Sequence, residues 1–212
     1  MLEEKSYIVL AIGTDIGKTF LVENLCKKNS NYFAIKPVIT GFNGDGNSDS
    51  ERILNALQLQ INKNNLDKIS PWRFKKPVSP NFLAQISAEE IIKFCQKNIE
   101  KAQKDKKILL IESAGGVMTP INNNFTFLDL AQALKLPILL VTSNYLGAIS
   151  HTLCSLESIK NKKLKNKKHL LKLNTSRVNE IFERKYIQIT QTVPIKKIKY
   201  KLFQRAFLGL KP

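Results

Sequence analysis

Five short stretches of the chain are apolar almost without interruption: residues 6–12 (SYIVLAI), 32–38 (YFAIKPV), 107–113 (KILLIES), 137–143 (PILLVTS) and 168–174 (KHLLKLN). Each is short for a helix and too uniformly apolar for a strand with one wet face, so each reads as a strand buried on both sides. Between them, residues 18–28, 48–59, 87–103, 127–134 and 149–159 carry apolar positions at helical spacing. Residues 186–194 (YIQITQTVP) read as a further strand. Strand and helix alternate, which predicts an α/β fold with a mostly parallel sheet and helices on both faces. No internal repeat, low-complexity linker or composition shift divides the 212 residues, so residues 1–212 read as a single domain.

Composition narrows the function classes. The net charge of +17 suggests nucleic acid or an anionic membrane, but 29 lysines stand against 5 arginines and no aromatic residues are interleaved for stacking. The densest basic stretch, KNKKLKNKK at residues 160–168, lies between a helical period and a strand and reads as a solvated helix end and turn. The expectation is therefore no nucleic-acid and no membrane partner, while an anionic small substrate would be drawn in by the same field. No apolar run reaches about 18 residues, and acids stand where a secretory leader needs an apolar stretch, which implies a cytoplasmic protein. Cys26, Cys95 and Cys154 are far apart and form no metal-binding spacing, so they read as small core residues.

The chemistry begins at AIGTDIGKT, residues 11–19. Gly17-Lys18-Thr19 follows a buried strand and opens a helix, the context in which backbone N–H groups and a helix end cradle phosphate. Lys18 then balances charge on the outer phosphates, and the Thr19 hydroxyl suits Mg²⁺. The first glycine of the usual G-x-x-x-x-G-K-[ST] pattern is nevertheless missing, since Ile12 occupies its position. Glu112 ends the apolar run ILLIE and is followed by Ala-Gly-Gly, where an acid has little packing reason to stand. Asp49 opens a helix and is either a metal ligand or a helix N-terminal acid. These features give a P-loop NTPase-like fold with an ATP and Mg²⁺ site.

The ordered set of AIGTDIGKT, KPVITG (residues 36–41), NSDS (47–50), PVSPN (77–81) and ESAGGVMTPI (112–121) resembles dethiobiotin synthetase. The resemblance extends from Tyr7 to about Asn174. That family's phosphate loop is one residue longer, so its first glycine aligns with Ala11 and its acid with Gly13. Ser113 stands where the family has glycine. The resemblance implies that 7,8-diaminopelargonate and CO2 are closed to the cyclic urea dethiobiotin with ATP and Mg²⁺, through a carbamate and its phosphorylated anhydride, in a homodimer. It places ATP on Gly13, Thr14, Asp15, Ile16, Gly17, Lys18 and Thr19, with Glu112 and Gly115 alongside and Asn174 at the adenine. Lys36 and Lys18 are the implied catalytic cations, and Thr19, Asp49 and Glu112 the implied metal ligands. Thr40, Thr119, Pro120 and Ser150 are the implied substrate contacts, although Thr40 also suits a loop cap and Asn174 a turn. His151 reads as structural, with no carboxylate or nucleophile near it in sequence.

Three rivals are weaker. Partitioning P-loop ATPases carry a signature lysine where Gly13 stands. Cobyrinate-type amidoligases append a glutaminase domain, for which the remainder after Asn174 is too short. A non-enzymatic scaffold leaves Lys36, Asp49 and Glu112 unexplained.

Overall fold

The computed structural model describes residues 6–143, 145–162 and 170–174. β1 (Ser6–Ala11) leads to α1 (Lys18–Lys28), β2 (Tyr32–Ile35), β3 (Val38–Thr40), α2 (Asp49–Ala56), α3 (Lys63–Ile69) and β4 (Trp72–Phe74). After a 3-10 turn at Pro80–Phe82 come α4 (Ala88–Lys104), β5 (Ile108–Glu112), β6 (Pro120–Asn122), β7 (Phe125–Thr126), α5 (Phe127–Leu134), β8 (Ile138–Ser143), α6 (Ala148–Asn161) and β9 (Leu170–Asn174).

The main sheet has the order β2-β5-β1-β8-β9, and every neighbouring pair is parallel. All six residues of β1 are buried, which requires cover on both faces and explains why the strand has no alternation. In a sheet wound this way ligands bind beyond the carboxyl ends of the strands. The register brings two such ends together: Val9 lies level with Glu112, and Ala11 level with Val141. The phosphate loop thus leaves β1 beside the acid that ends β5.

One predicted strand is two. The expected strand at residues 32–38 breaks after Ile35, because Pro37 has no N–H for the ladder and the Lys36 N–H instead donates to the Ile69 carbonyl at 3.0 Å. Val38 to Thr40 then pairs with β4 in a separate small sheet. The expected helix at residues 48–59 stops at Ala56, since Gln58 adopts a left-handed φ of 57°. α3, β4 and the β6–β7 hairpin were not expected; their apolar periods are too short to stand out. Cys26 and Cys95 are core residues, whereas Cys154 is exposed on α6, contrary to expectation. The strand expected at residues 186–194 lies outside the described residues, as do residues 163–168 of the basic stretch. Among the described residues no helix is long and apolar enough to cross a membrane.

Candidate active site

The loop between β1 and α1 closes on two left-handed residues, Asp15 (φ 56°) and Gly17 (φ 96°). Gly17 caps α1 without a side-chain bond, so the first N–H groups of the helix face the space in front of it. Ala11 is not among the residues with positive φ, so alanine in place of the family's glycine imposes no backbone strain. Gly13 has no positive φ, and a Cβ there would meet only Ile16 side-chain atoms at 3.7 Å and beyond, so the backbone at this position suits the family's acid and glycine alike. The second glycine-rich turn packs beneath this loop. A Cβ at Gly116 would meet the Ala11 carbonyl and the Gly13 backbone at 3.5 Å. Gly115 is left-handed, and a Cβ there would lie 2.4 Å from the Thr119 hydroxyl oxygen, so no larger residue fits. That hydroxyl accepts the Gly116 N–H at 2.8 Å and closes the turn.

Two buried lysines enter the space between these loops in different ways. Lys18 donates to the Gly115 carbonyl at 2.8 Å and the Gly13 carbonyl at 3.2 Å. Burial and the nearby Lys36 charge, against partial relief from Glu112 and Asp49, bring its pKa down to about 8. Lys36 donates to Asp49 Oδ2 at 2.5 Å and to Glu112 Oε1 at 2.7 Å. Burial pushes its pKa down, but the two carboxylates more than offset this and hold it above the ordinary lysine range. Asp49 responds inversely: burial favours its neutral form, yet Lys36 and hydrogen bonds keep its carboxyl below the usual range.

Asp49 reaches Lys36 because Ser48 opens α2, donating both its N–H (3.0 Å) and its hydroxyl (2.6 Å) to Glu51 in a capping box. Glu112 is fully buried; its Oε1 also accepts the Thr19 hydroxyl at 2.6 Å, while Oε2 has no partner among the described residues. Thr19, Asp49 and Glu112 therefore gather hard oxygen donors around one point, with one buried carboxylate oxygen left over.

A cavity of about 570 Å³ opens above this cluster. Thr14, Asp15, Gly17, Lys18 and Thr19 line it from the phosphate loop, Lys36, Thr40 and Asp49 from the second crossover, and Gly115 and Thr119 from the glycine turn. Gly13 and Ile16 shape the loop from outside the cavity wall, and Glu112 lies beneath it. Pro120 begins β6 and Ser150 is exposed on α6, and neither lines the cavity; Asn174 ends β9 level with Ser143. His151 is bonded through Nδ1 to the Tyr145 hydroxyl at 2.6 Å, a structural contact at the start of α6. The sequence reading assigned no site role to Arg52 or to Pro77 through Pro80, all of which line the cavity. Arg52 was detectable, since it stands one helical turn after Asp49. Ser113, fully buried, keeps its N–H on the Val9 carbonyl at 3.0 Å, so serine does not disturb the backbone of β5.

Comparison with known proteins agrees with this geometry. A family model described as an AAA domain matches residues 5–196. The ATP-dependent dethiobiotin synthetase of Phenylobacterium zucineum is 38% identical over 167 residues, 74% of this chain and 71% of the relative. That of Legionella pneumophila strain Paris is 36% identical over 168 residues, 76% of each chain. That of Caulobacter vibrioides strain NA1000 is 37% identical over 165 residues, 74% of each. The phosphate loop, the paired buried lysines and these matches together place the chain in the dethiobiotin synthetase family.

Proposed function

We propose that this chain closes 7,8-diaminopelargonate and CO2 to dethiobiotin at the expense of ATP, as a ligase of biotin biosynthesis. One amine adds to CO2, giving a carbamate and a proton. A carbamate oxygen takes the γ-phosphoryl group and ADP leaves. The second amine then attacks the carbamoyl carbon, forming the ring C–N bond and expelling phosphate.

The observation that carries this reading is the pair of buried cations at one cavity, Lys18 under the phosphate loop and Lys36 fixed between Asp49 and Glu112. Carbamate and γ-phosphoryl are both anions and meet only where preorganised positive charge lies between them. Lys18 faces the phosphate side and Lys36 the acceptor side. Thr40, on the cavity wall after β3, suits a hydrogen bond to a substrate oxygen; Thr119 flanks the turn that supports Lys18.

The cluster beneath the cavity also fits Mg²⁺. Thr19, Asp49 and Glu112 would hold it, the buried unpartnered Glu112 Oε2 among the donors. Bound there, the ion neutralises charge on the outer phosphates. Lys36, held by the same carboxylates, would then be directed towards the cavity.

The reading includes a homodimer. Leu146 is fully exposed just before α6, Tyr145 precedes it and Leu153 lies on the helix, exposed apolar side chains suited to an isologous contact. Ser150 and Pro120 would reach substrate across or beside that contact, and Asn174 would meet the adenine at the end of β9.

Phosphate release is the test, with diamine and bicarbonate each present or omitted and DNA, lipid and glutamine as controls. Release only when both substrates are present is expected. Release that ignores the diamine, or rises with DNA or lipid, overturns the reading in favour of a partitioning-type ATPase; a glutamine requirement points to an amidoligase.

A further inference from the structure

Arg52 stands in α2 one turn after Asp49 and lines the same cavity. A side chain this close to the phosphate-side machinery needs an explanation beyond packing, because its charge is already held in place. Its Nη2 donates to Glu23 Oε2 at 2.6 Å, while Lys27 donates to the other oxygen, Glu23 Oε1, at 2.5 Å. Glu23 stands one turn after the cavity-lining Phe20 on α1, and it holds two cations, Arg52 from α2 and Lys27 from its own helix. The bond to Glu23 uses one edge of a guanidinium that carries five N–H donors in a planar fork. Glu23 is therefore an anchor, and the rest of the fork remains available at the cavity rim, where the Arg52 side chain is 39% exposed.

Charge at the site points the same way. Lys36 is matched by Asp49 and Glu112, whereas among the described residues Lys18 bonds to carbonyls alone. The reaction collects a triphosphate and a carbamate in this space, several negative charges in total. The phosphate loop would hold the inner phosphates through backbone N–H groups, whereas Arg52 shares α2 with Asp49, the acid assigned above to the ion at the outer phosphates. An arginine that reaches the equatorial oxygens of the transferred group is a recurrent solution in phosphoryl transfer.

We propose that Arg52, pinned by Glu23, binds the terminal phosphoryl group of ATP and holds it for transfer to the carbamate. This rests on the phosphate-loop reading above. Glu23 is a positioning residue, which touches no substrate and acts by fixing the guanidinium.

Calorimetric titration of MgATP and MgADP, without diamine, separates the possibilities in wild type, Arg52→Gln, Arg52→Lys, Glu23→Gln and Lys18→Ala. Arg52→Gln is expected to weaken ATP binding roughly tenfold, the loss of one charge-assisted bond, with ADP binding within about twofold of wild type. Arg52→Lys should recover only part of the loss, because an ammonium does not hold Glu23 and phosphate in one plane. Glu23→Gln should weaken ATP by about two- to fivefold and leave ADP alone. A purely structural bridge between α1 and α2 would instead lower the melting temperature of Arg52→Gln and weaken ATP and ADP equally. That result, or no loss for either nucleotide, overturns the proposal. Lys18→Ala keeps the two readings apart: if it leaves ATP binding unchanged, the phosphate-loop reading itself fails. If it weakens ATP while Arg52→Gln does not discriminate between the nucleotides, only the role of Arg52 fails.

Discussion

Lys18 and Lys36 are buried in the same site, 6% and 4% exposed, and yet their surroundings shift their pKa values in opposite directions. Lys36 is held between two carboxylates, and its charge is locked. Among the described residues Lys18 bonds to the carbonyls of Gly13 and Gly115, and burial has brought its pKa down to about 8, so it stays mostly charged near neutral pH but gives up its proton far more readily than Lys36. Burying a charge costs several kcal/mol unless it is paired. The Lys36 half of the site meets that cost within the protein itself, whereas the Lys18 half leaves it to be relieved by an incoming anion. One half is a finished piece of structure and the other a vacancy in charge that a phosphate fills.

The sharpest way to break this comparison is to remove each cation and measure folding and function separately. Lys36→Met leaves Glu112 buried without its main partner, so unfolding in denaturant should show a loss of about 3–5 kcal/mol, with turnover lost as well. Lys18→Met removes a cation that folding does not favour, so its stability should stay within about 1 kcal/mol of wild type. Turnover should nonetheless fall by roughly a hundred- to a thousandfold, the scale of losing one preorganised charge at the transferred group. If Lys36→Met is as stable as wild type, the locked half is misdescribed. Equal destabilisation of the two variants would erase the contrast.

A smaller effect sharpens the locked half. Glu112→Gln and Asp49→Asn keep shape and remove charge, so each should raise the magnesium concentration needed for half-maximal turnover by about tenfold. Asp49 is the more exposed of the two (38% against 0%), so water can replace more of what it supplied and its variant should be the milder. Wild-type magnesium dependence in both variants would remove them from the ion.

How far the sequence carried these conclusions depends on where the information resides. The strands of the main sheet were legible because burial on both faces leaves uniform apolar runs, Glu112 because it ends such a run, and Lys18 and Thr19 because they open the helix after one. Pro37 in YFAIKPV was read through as strand, although its missing N–H ends β2 two residues earlier. The bridging of Asp49 and Glu112 by one ammonium was not legible, since it depends on a capping box at Ser48 and on the register of β5 against β1. The place of Arg52 one turn after Asp49 was legible, but its bond to Glu23, 29 residues away, was not. The loop substitutions at Ala11 and Gly13 looked like defects in the motif, and only the backbone angles and the space around them show that the turn tolerates both.

The finest test of the comparison follows protons. Lys18 has a folded pKa of about 8, below the ordinary lysine value, so its stabilising contribution is present above the unfolded pKa and lost as pH falls through about 8. For ATP the sign is opposite: phosphate favours the ammonium, so affinity should weaken as pH rises through about 8 and the neutral amine takes over. At pH 8, where roughly half of Lys18 is neutral and the terminal phosphate is already ionised, binding should draw about half a proton from solution. Lys36, held above the lysine range, contributes none. Calorimetric titrations of ATP in buffers of different ionisation enthalpy measure this uptake directly. Lys18→Arg provides the control, because a guanidinium is charged at any accessible pH and should bind ATP without taking up a proton. Uptake that persists in Lys18→Arg would assign the proton to another group, and zero uptake in the wild type would mean that Lys18 is as fully charged as Lys36 before ATP arrives.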